Sequence, residues 1–303
     1  MRKYLIPLIV LWMMVFASQA EALQVTILMS EDNDAYHEFA NSFISESERN
    51  KFALDIQQTK TLPIKSDLII AVGLKSAIIA SESRLPVLCV FISKAAYRKV
   101  VQDSLVYREK NTLSAIYLDQ PIKRQVAMVA AALPEIKSIG LLYSYLSPDL
   151  DNYRKAIAEK GFALREQKLD SADSLYRNLE SLLEKSNVLL AIPDTEVYNS
   201  LTMRNILMTT YRRKVPVVGF SSAYVKAGAL CAVFSMPSQI AVQAARLTGQ
   251  FIDTSLLPMA QYPAEFYVMS NQQVARSLGI SIKQNAALIR EIEASEHDKK
   301  GGD

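Results

Sequence analysis

Four short segments of this chain recur in the same order further along it, and that doubling constrains the fold more than any other feature. Gln24-Val25-Thr26-Ile27-Leu28-Met29-Ser30 reads like Ser138-Ile139-Gly140-Leu141-Leu142-Tyr143-Ser144, and Phe52-Ala53-Leu54-Asp55 like Phe162-Ala163-Leu164-Arg165. Ser66-Asp67-Leu68-Ile69-Ile70-Ala71-Val72 pairs with Ser186-Asn187-Val188-Leu189-Leu190-Ala191-Ile192, and Leu85-Pro86-Val87-Leu88 with Val215-Pro216-Val217-Val218. One such match among apolar strands means little. Four in register, offset by 110 to 130 residues, describe two copies of one unit.

The unit is α/β. The apolar runs at 68–72, 87–92, 188–192 and 217–220 hardly alternate, as in parallel strands buried on both faces. Between them lie helical stripes: Tyr36, Phe39, Ala40 and Phe43; Ile122, Val126, Val129, Ala130 and Leu133; Leu175, Leu179, Leu182 and Leu183 behind a cap at Asp173 or Ser174. Gly161 is placed to end a helix over 151–160. Strand–helix alternation in each copy predicts two doubly wound parallel-sheet lobes. A late helix with the face Ile240, Ala244, Leu247 and Phe251, then a strand-like run from Ala264 to Ser270, implies that the chain crosses between lobes more than once, forming a hinge. The expected division is 23–135 plus about 236–262 for the first lobe and 136–235 plus about 263–285 for the second. A charged tail, 286–303, frays from about Glu291.

The start of the chain has the layout of an export signal. Arg2 and Lys3 precede an apolar run from Tyr4 to Ala17, and small residues at Ser18, Ala20 and Ala22 allow cleavage after Ala20 or Ala22. No cysteine lies there to accept a lipid, so the mature chain is expected to be a periplasmic, non-lipidated monomer with no stable membrane insertion. A net charge of +3 with 21% charged residues is an ordinary globular surface and carries no basic stripe for nucleic acid. Cys89 and Cys231 sit in apolar strand-like runs, one in each half, and read as buried free thiols rather than a disulfide that would oppose lobe movement.

Open parallel sheets bind ligands beyond the carboxyl ends of their strands, beside helix N-termini. The candidate ligand-binding residues are therefore Asp32, Asn33, Tyr36, Gly73, Lys75, Ser76 and Ser93 in the first lobe. Ser144, Tyr145, Asp194, Ser221, Ser222 and Tyr224 are their counterparts in the second. Ser76, Ser221 and Ser222 either bind a carboxylate or cap helices. Asp194, after Pro193, either receives an ammonium group or caps. Tyr36, Tyr145 and Tyr224 either stack on a ligand or pack. Lys75 and Lys94 would favour an anion. The two histidines, His37 and His297, have no partner at metal-binding or triad spacing, and no Gly-rich phosphate motif occurs, so neither catalytic residues nor a cofactor or metal is expected.

Several further segments carry a family resemblance. They are Pro121-Ile122, Leu133-Pro134-Glu135-Ile136-Lys137-Ser138-Ile139-Gly140-Leu141-Leu142-Tyr143, Pro193-Asp194 through Val197, Val215-Pro216-Val217-Val218-Gly219 with Ala227-Gly228-Ala229-Leu230, and Tyr267-Val268-Met269-Ser270-Asn271 with Leu278-Gly279-Ile280. In this order the chain resembles the periplasmic substrate-binding proteins of ABC transporters, in the subgroup with tryptophan- and tyrosine-binding members. The resemblance implies a type I periplasmic-binding fold, a small polar ligand such as an amino acid bound by hinge closure, and an inner-membrane ABC permease as partner. A ligand sensor signalling to a membrane receptor and an α/β enzyme are the alternatives. The first half departs from the family pattern: Ser30 to Tyr36 replaces its usual opening, Lys75 a small hydroxyl residue, and Phe91-Ile92-Ser93-Lys94 an Asp-Pro-bearing loop. An aromatic ligand therefore does not follow from the resemblance.

Overall fold

The computed structural model describes residues 22–297 except 53, 64, 105–111, 145–148 and 172–173. The leader predicted over 1–22, up to residue 21, and the end of the predicted tail lie outside the described residues, as does the alternative cap Asp173.

Two sheets form. The first contains β1 (Leu23–Met29), β2 (Leu54–Thr59), β3 (Leu68–Val72), β4 (Val87–Ile92) and β5 (Leu113–Tyr117), parallel and in the order β2-β1-β3-β4-β5. The second contains β6 (Ser138–Tyr143), β7 (Ala163–Lys168), β8 (Val188–Leu190), β9 (Val217–Gly219), β10 (Cys231–Phe234) and β11 (Tyr267–Ser270). Read from its β7 edge, its order β7-β6-β8-β9-β10 repeats the first sheet strand for strand, and β11 adds an antiparallel edge. Each matched sequence pair falls on equivalent strands. β3 and β8 are buried along their whole length, as strands covered on both faces should be. The edge strand β7 carries Arg165, Glu166 and Lys168, charges that discourage pairing with another chain.

Helices α1 (Asp34–Arg49), α2 (Leu74–Ser81) and α3 (Lys94–Asp103) alternate with the first five strands. α4 (Ile122–Ala132), α5 (Leu150–Glu159), α6 (Leu175–Leu183), α7 (Met203–Arg212) and α8 (Ser222–Ala227) accompany the next five, and α9 (Pro237–Thr254), α10 (Gln272–Leu278) and α11 (Asn285–His297) come last. All four leucines of the α6 stripe are buried, and Gly161, at φ +79°, follows the end of α5 in the left-handed conformation glycine favours. Each sheet has its own core. α1 and α9 cover one face of the first sheet with Phe39, Phe43, Ile240, Ala244, Leu247 and Phe251. Gly249 lets α9 approach closely, since a Cβ there would lie 2.6 Å from Cζ of Phe52.

Two expected boundaries move. The division expected at 135 places α4 in the first lobe, yet Val126, Met128 and Val129 pack into the core of the second sheet, so the first crossing lies between Tyr117 and Ile122. The tail expected to fray from Glu291 is helical to His297, because Leu288 and Ile292 bury completely against that same core. Arg124, almost buried on α4, locks the helix in place. Its Nε donates to Glu296 Oε1 at 2.6 Å, its Nη2 donates to Glu296 Oε2 at 3.1 Å, and its guanidinium stacks on Phe266 at 4.4 Å. Glu296→Ala should lower the unfolding free energy by about 1.5–3 kcal/mol, the usual range for hydrogen bonds to a charged group, as measured by urea titration.

The chain returns to the first lobe between Phe234 and Pro237 and leaves it again after Tyr262. Gln261 forms an isolated bridge with Ile116, its carbonyl accepting from Tyr117 N and its N–H donating to Ala115 O. The three crossings are stitched together: Gln120 Nε2 donates to Ser235 Oγ at 2.9 Å, Ser235 Oγ to Glu265 O at 2.5 Å, and Arg124 Nη1 to Gln120 Oε1 at 2.9 Å. Cys89 on β4 and Cys231 on β10 are free and buried in different lobes, as expected. Burial pushes the Cys89 thiol up to about 12 and that of Cys231 further still. Among the described residues no helix is long and apolar enough to cross a membrane.

Candidate ligand-binding cleft

At the carboxyl end of the first sheet the loops after β1 and β3 converge. Ser30 Oγ accepts from Ser76 N at 2.8 Å and donates to Ser76 Oγ at 3.0 Å. Gly73, the N-cap of α2 at φ +92°, sits beneath Tyr36; a Cβ there would collide with Tyr36 Oη and lie 2.8 Å from Ser30 Oγ. Gly73→Ala combines a left-handed backbone with that clash and should cost roughly 1–3 kcal/mol, read as a lower thermal midpoint. A bulge in β4 places Phe91 at φ +55°, which brings its ring 5.4 Å from that of Tyr36 and 5.6 Å from that of Phe39. Burial raises the Tyr36 phenol above its ordinary pKa, with Glu31 adding to the effect.

Other first-lobe candidates have local partners. Asn33 accepts from Tyr36 N at 3.0 Å and Ser93 from Ala96 N at 3.2 Å, so both cap their helices. Asp32 is exposed, with His37 Nε2 at 2.5 Å and Lys60 Nζ at 3.3 Å. The hydrogen bond from His37, then that from Lys60, lowers its carboxyl below the usual range. Lys75 forms an exposed pair with Glu31 at 3.6 Å.

In the second lobe Asp194 has the geometry of a cap. Its carboxylate accepts from Ser144 N at 2.7 Å, Ser144 Oγ at 3.0 Å, Glu196 N at 3.1 Å and Val197 N at 3.4 Å, and the residue is 4% exposed. It therefore ties the loop after β6 to the loop after β8 instead of presenting a carboxylate to the cleft. Tyr145 lies outside the described residues. Tyr224 is buried, its ring 4.8 Å from Phe220 and 6.3 Å from Tyr198, and a Cβ on Gly219 would meet its own Cβ at 2.7 Å. That is packing. Ser221 and Ser222 remain partly exposed where α8 begins, and the Ser221 side chain makes no capping bond.

The two lobes meet at the hinge end of the cleft, where Lys94 alone of the side chains weighed for a ligand in the sequence lies. A cavity of about 30 Å³, room for about one water molecule, is lined by Lys94, Asp119, Gln120, Gln125, Asp149 and Tyr262, among others. Lys94 Nζ is 2.7 Å from Asp149 Oδ2 across the cleft and donates to Tyr262 Oη at 2.9 Å, while Arg98 Nη1 is 3.4 Å from Asp149 Oδ1. Tyr153 Oη donates to Gln125 Oε1 at 3.0 Å, and Gln125 Nε2 donates to Gln120 O at 2.7 Å. Burial works against the charge on Lys94, but Asp149 and Tyr262 more than offset it, so its pKa lies above the ordinary value. Asp119 accepts from Lys94 N at 2.6 Å, yet burial raises its carboxyl to about 6. A carboxyl raised on folding adds stability that is complete below its unfolded pKa, near 3.8, and vanishes as pH climbs through about 6. Unfolding titrations at about pH 5 and about pH 7.5 should thus differ less for Asp119→Asn than for the unmodified chain.

The four repeated segments stop short of this end, although Ser114-Ala115-Ile116-Tyr117 of β5 reads like Cys231-Ala232-Val233-Phe234 of β10. Counting a fifth strand in each copy would have pointed to the loop Leu118-Asp119-Gln120 before Pro121.

A family model for ABC transporter substrate binding protein matches residues 23–289. A conserved domain protein from Vibrio cholerae O1 biovar El Tor is similar in structure at a TM-score of 0.63 and 18% identity, covering 89% of this chain and 98% of that one. A Streptococcus pneumoniae ABC domain in complex with L-Trp gives 0.63 at 16%, with 89% and 98% covered. A ligand-free, open substrate-binding protein with adhesive properties from Clostridium difficile gives 0.67 at 18%, with 87% and 97% covered. No curated protein sequence matches. With the family model spanning nearly all of both lobes and the doubled sheet shared with these structures, the chain belongs to the ABC transporter substrate-binding protein family.

Proposed function

We propose that this protein is an exported, monomeric receptor that captures a small polar organic solute, an amino acid or a related compound, between its lobes and delivers it to an inner-membrane ABC permease. The observation that carries this reading is the meeting of two repeated sheets, carboxyl ends toward a common cleft, at three adjacent chain crossings. The L-Trp held by the Streptococcus pneumoniae relative supports the amino-acid class without fixing the side chain. Ser221 and Ser222 from one lobe, and Tyr36 from the other, are the groups assigned to the ligand. Asp194 is left out, since its carboxylate serves Ser144 and two backbone amides. Closure is favoured to the extent that the ligand contacts both lobes at once, and the role is binding without turnover.

A thermal-shift screen of the mature chain against amino acids, small carboxylates and nucleosides tests the proposal. A true ligand present at about a hundred times its dissociation constant should stabilise by about 2.7 kcal/mol, and Ser221→Ala should diminish the shift. A screen in which no small polar solute moves the midpoint would sink it.

A further inference from the structure

The ammonium of Lys94 is held between the two lobes. Its nitrogen is held by a carboxylate of the opposite lobe, Asp149 at 2.7 Å, by a phenolic oxygen, Tyr262 at 2.9 Å, and by the Tyr262 ring, 5.1 Å from its centroid. Asp149 occupies the N-cap position of α5 but makes no side-chain capping bond, so its carboxylate is turned across the cleft instead of onto its own helix. Both side chains are largely withdrawn from water, at 18% and 13% exposure, and the adjoining cavity is too small for more than about one water molecule. Such a pair escapes most solvent screening, unlike the exposed pairs Lys75–Glu31 and Lys60–Asp32. Arg98, on the same helix as Lys94, adds a second cation from the first lobe at 3.4 Å.

We infer that Lys94 is a tethered occupant of an ammonium subsite at the hinge end of the cleft, and that its ion pair with Asp149 latches the two lobes together before any ligand arrives. The inference rests on the two-lobed receptor reading but not on the identity of the ligand. It also sets specificity: with the subsite filled from within, a ligand reaching the hinge end must present a neutral or anionic group there.

The test needs no ligand. Spin labels at Ile78→Cys on α2 and Ser200→Cys in the loop after β8, both exposed, report the interlobe distance, and the two native thiols are buried away from the label. The ligand-free chain should show a predominantly short distance. Lys94→Ala, and separately the isosteric Asp149→Asn, should each cut the ratio of closed to open forms by about tenfold, a value at the low end for a mostly buried charge pair. Methylammonium should restore the short distance in Lys94→Ala, which has an empty subsite, and should leave Asp149→Asn open. Distances unchanged by both substitutions, or no effect of methylammonium on a Lys94→Ala chain that has opened, would overturn the inference. A failed solute screen would leave the latch intact, and a failed latch would leave solute capture intact.

Discussion

Asp194→Ala should destabilise the second lobe by roughly 3–5 kcal/mol, because it removes a buried carboxylate that accepts from several donors of two loops. Ser144 N, Ser144 Oγ, Glu196 N and Val197 N all point at this one carboxylate, and Asp194 and Ser144 are themselves buried. The loops after β6 and β8 would separate, and with them the second lobe's share of the cleft. Any loss of ligand response in this variant is therefore indirect. Asp194→Asn keeps one acceptor oxygen and should recover part of the stability. Urea titration gives the magnitude, and hydrogen exchange should show the loss concentrated between β6 and α8. Wild-type stability in Asp194→Ala would contradict the role assigned to it.

Phe39→Ala should cost about 3–5 kcal/mol in the other lobe, the range for removing a buried aromatic ring. Phe39 is fully buried on α1, 6.2 Å ring to ring from Phe43 and 5.6 Å from Phe91. Its loss opens a void beneath the bulge that aims Phe91 at Tyr36. The two substitutions act on cores that share no buried residue, so protection should be lost mainly in 23–117 and 237–262 for Phe39→Ala, and mainly in the second lobe for Asp194→Ala. Equal loss in both lobes from either change would argue against separate cores.

The architecture was legible in the chain because burial on two faces leaves a strong trace. Runs such as Leu68-Ile69-Ile70-Ala71-Val72, repeated as Val188-Leu189-Leu190, identify central strands and their order. Boundaries were less legible. α4 follows β5 directly and carries an apolar stripe that would suit either lobe; its packing against the second sheet's core, Leu288 and Ile292 of α11 included, assigns it to the second. The helical C-terminus was hidden by its charge, since Glu291 and Glu296 look like tail residues until Lys283 and Arg124 are found opposite them. In the cleft, the strand-end rule could not separate capping from binding. Asn33, Ser93 and Asp194 are chemically suited to both, and hydrogen-bond geometry decides between them. Asp149 and Tyr262 escaped notice because their significance lies in meeting Lys94 from elsewhere in the chain, a coincidence of tertiary structure with no periodic signature.

Hydrogen exchange with and without a solute that passes the thermal screen tests the account most directly. If two matched sheets hold a ligand between their carboxyl ends, protection should rise together in the loops after β1, β3 and β4 and in those after β8 and β9. Protection confined to one lobe, or spread over a surface away from these strand ends, would contradict it.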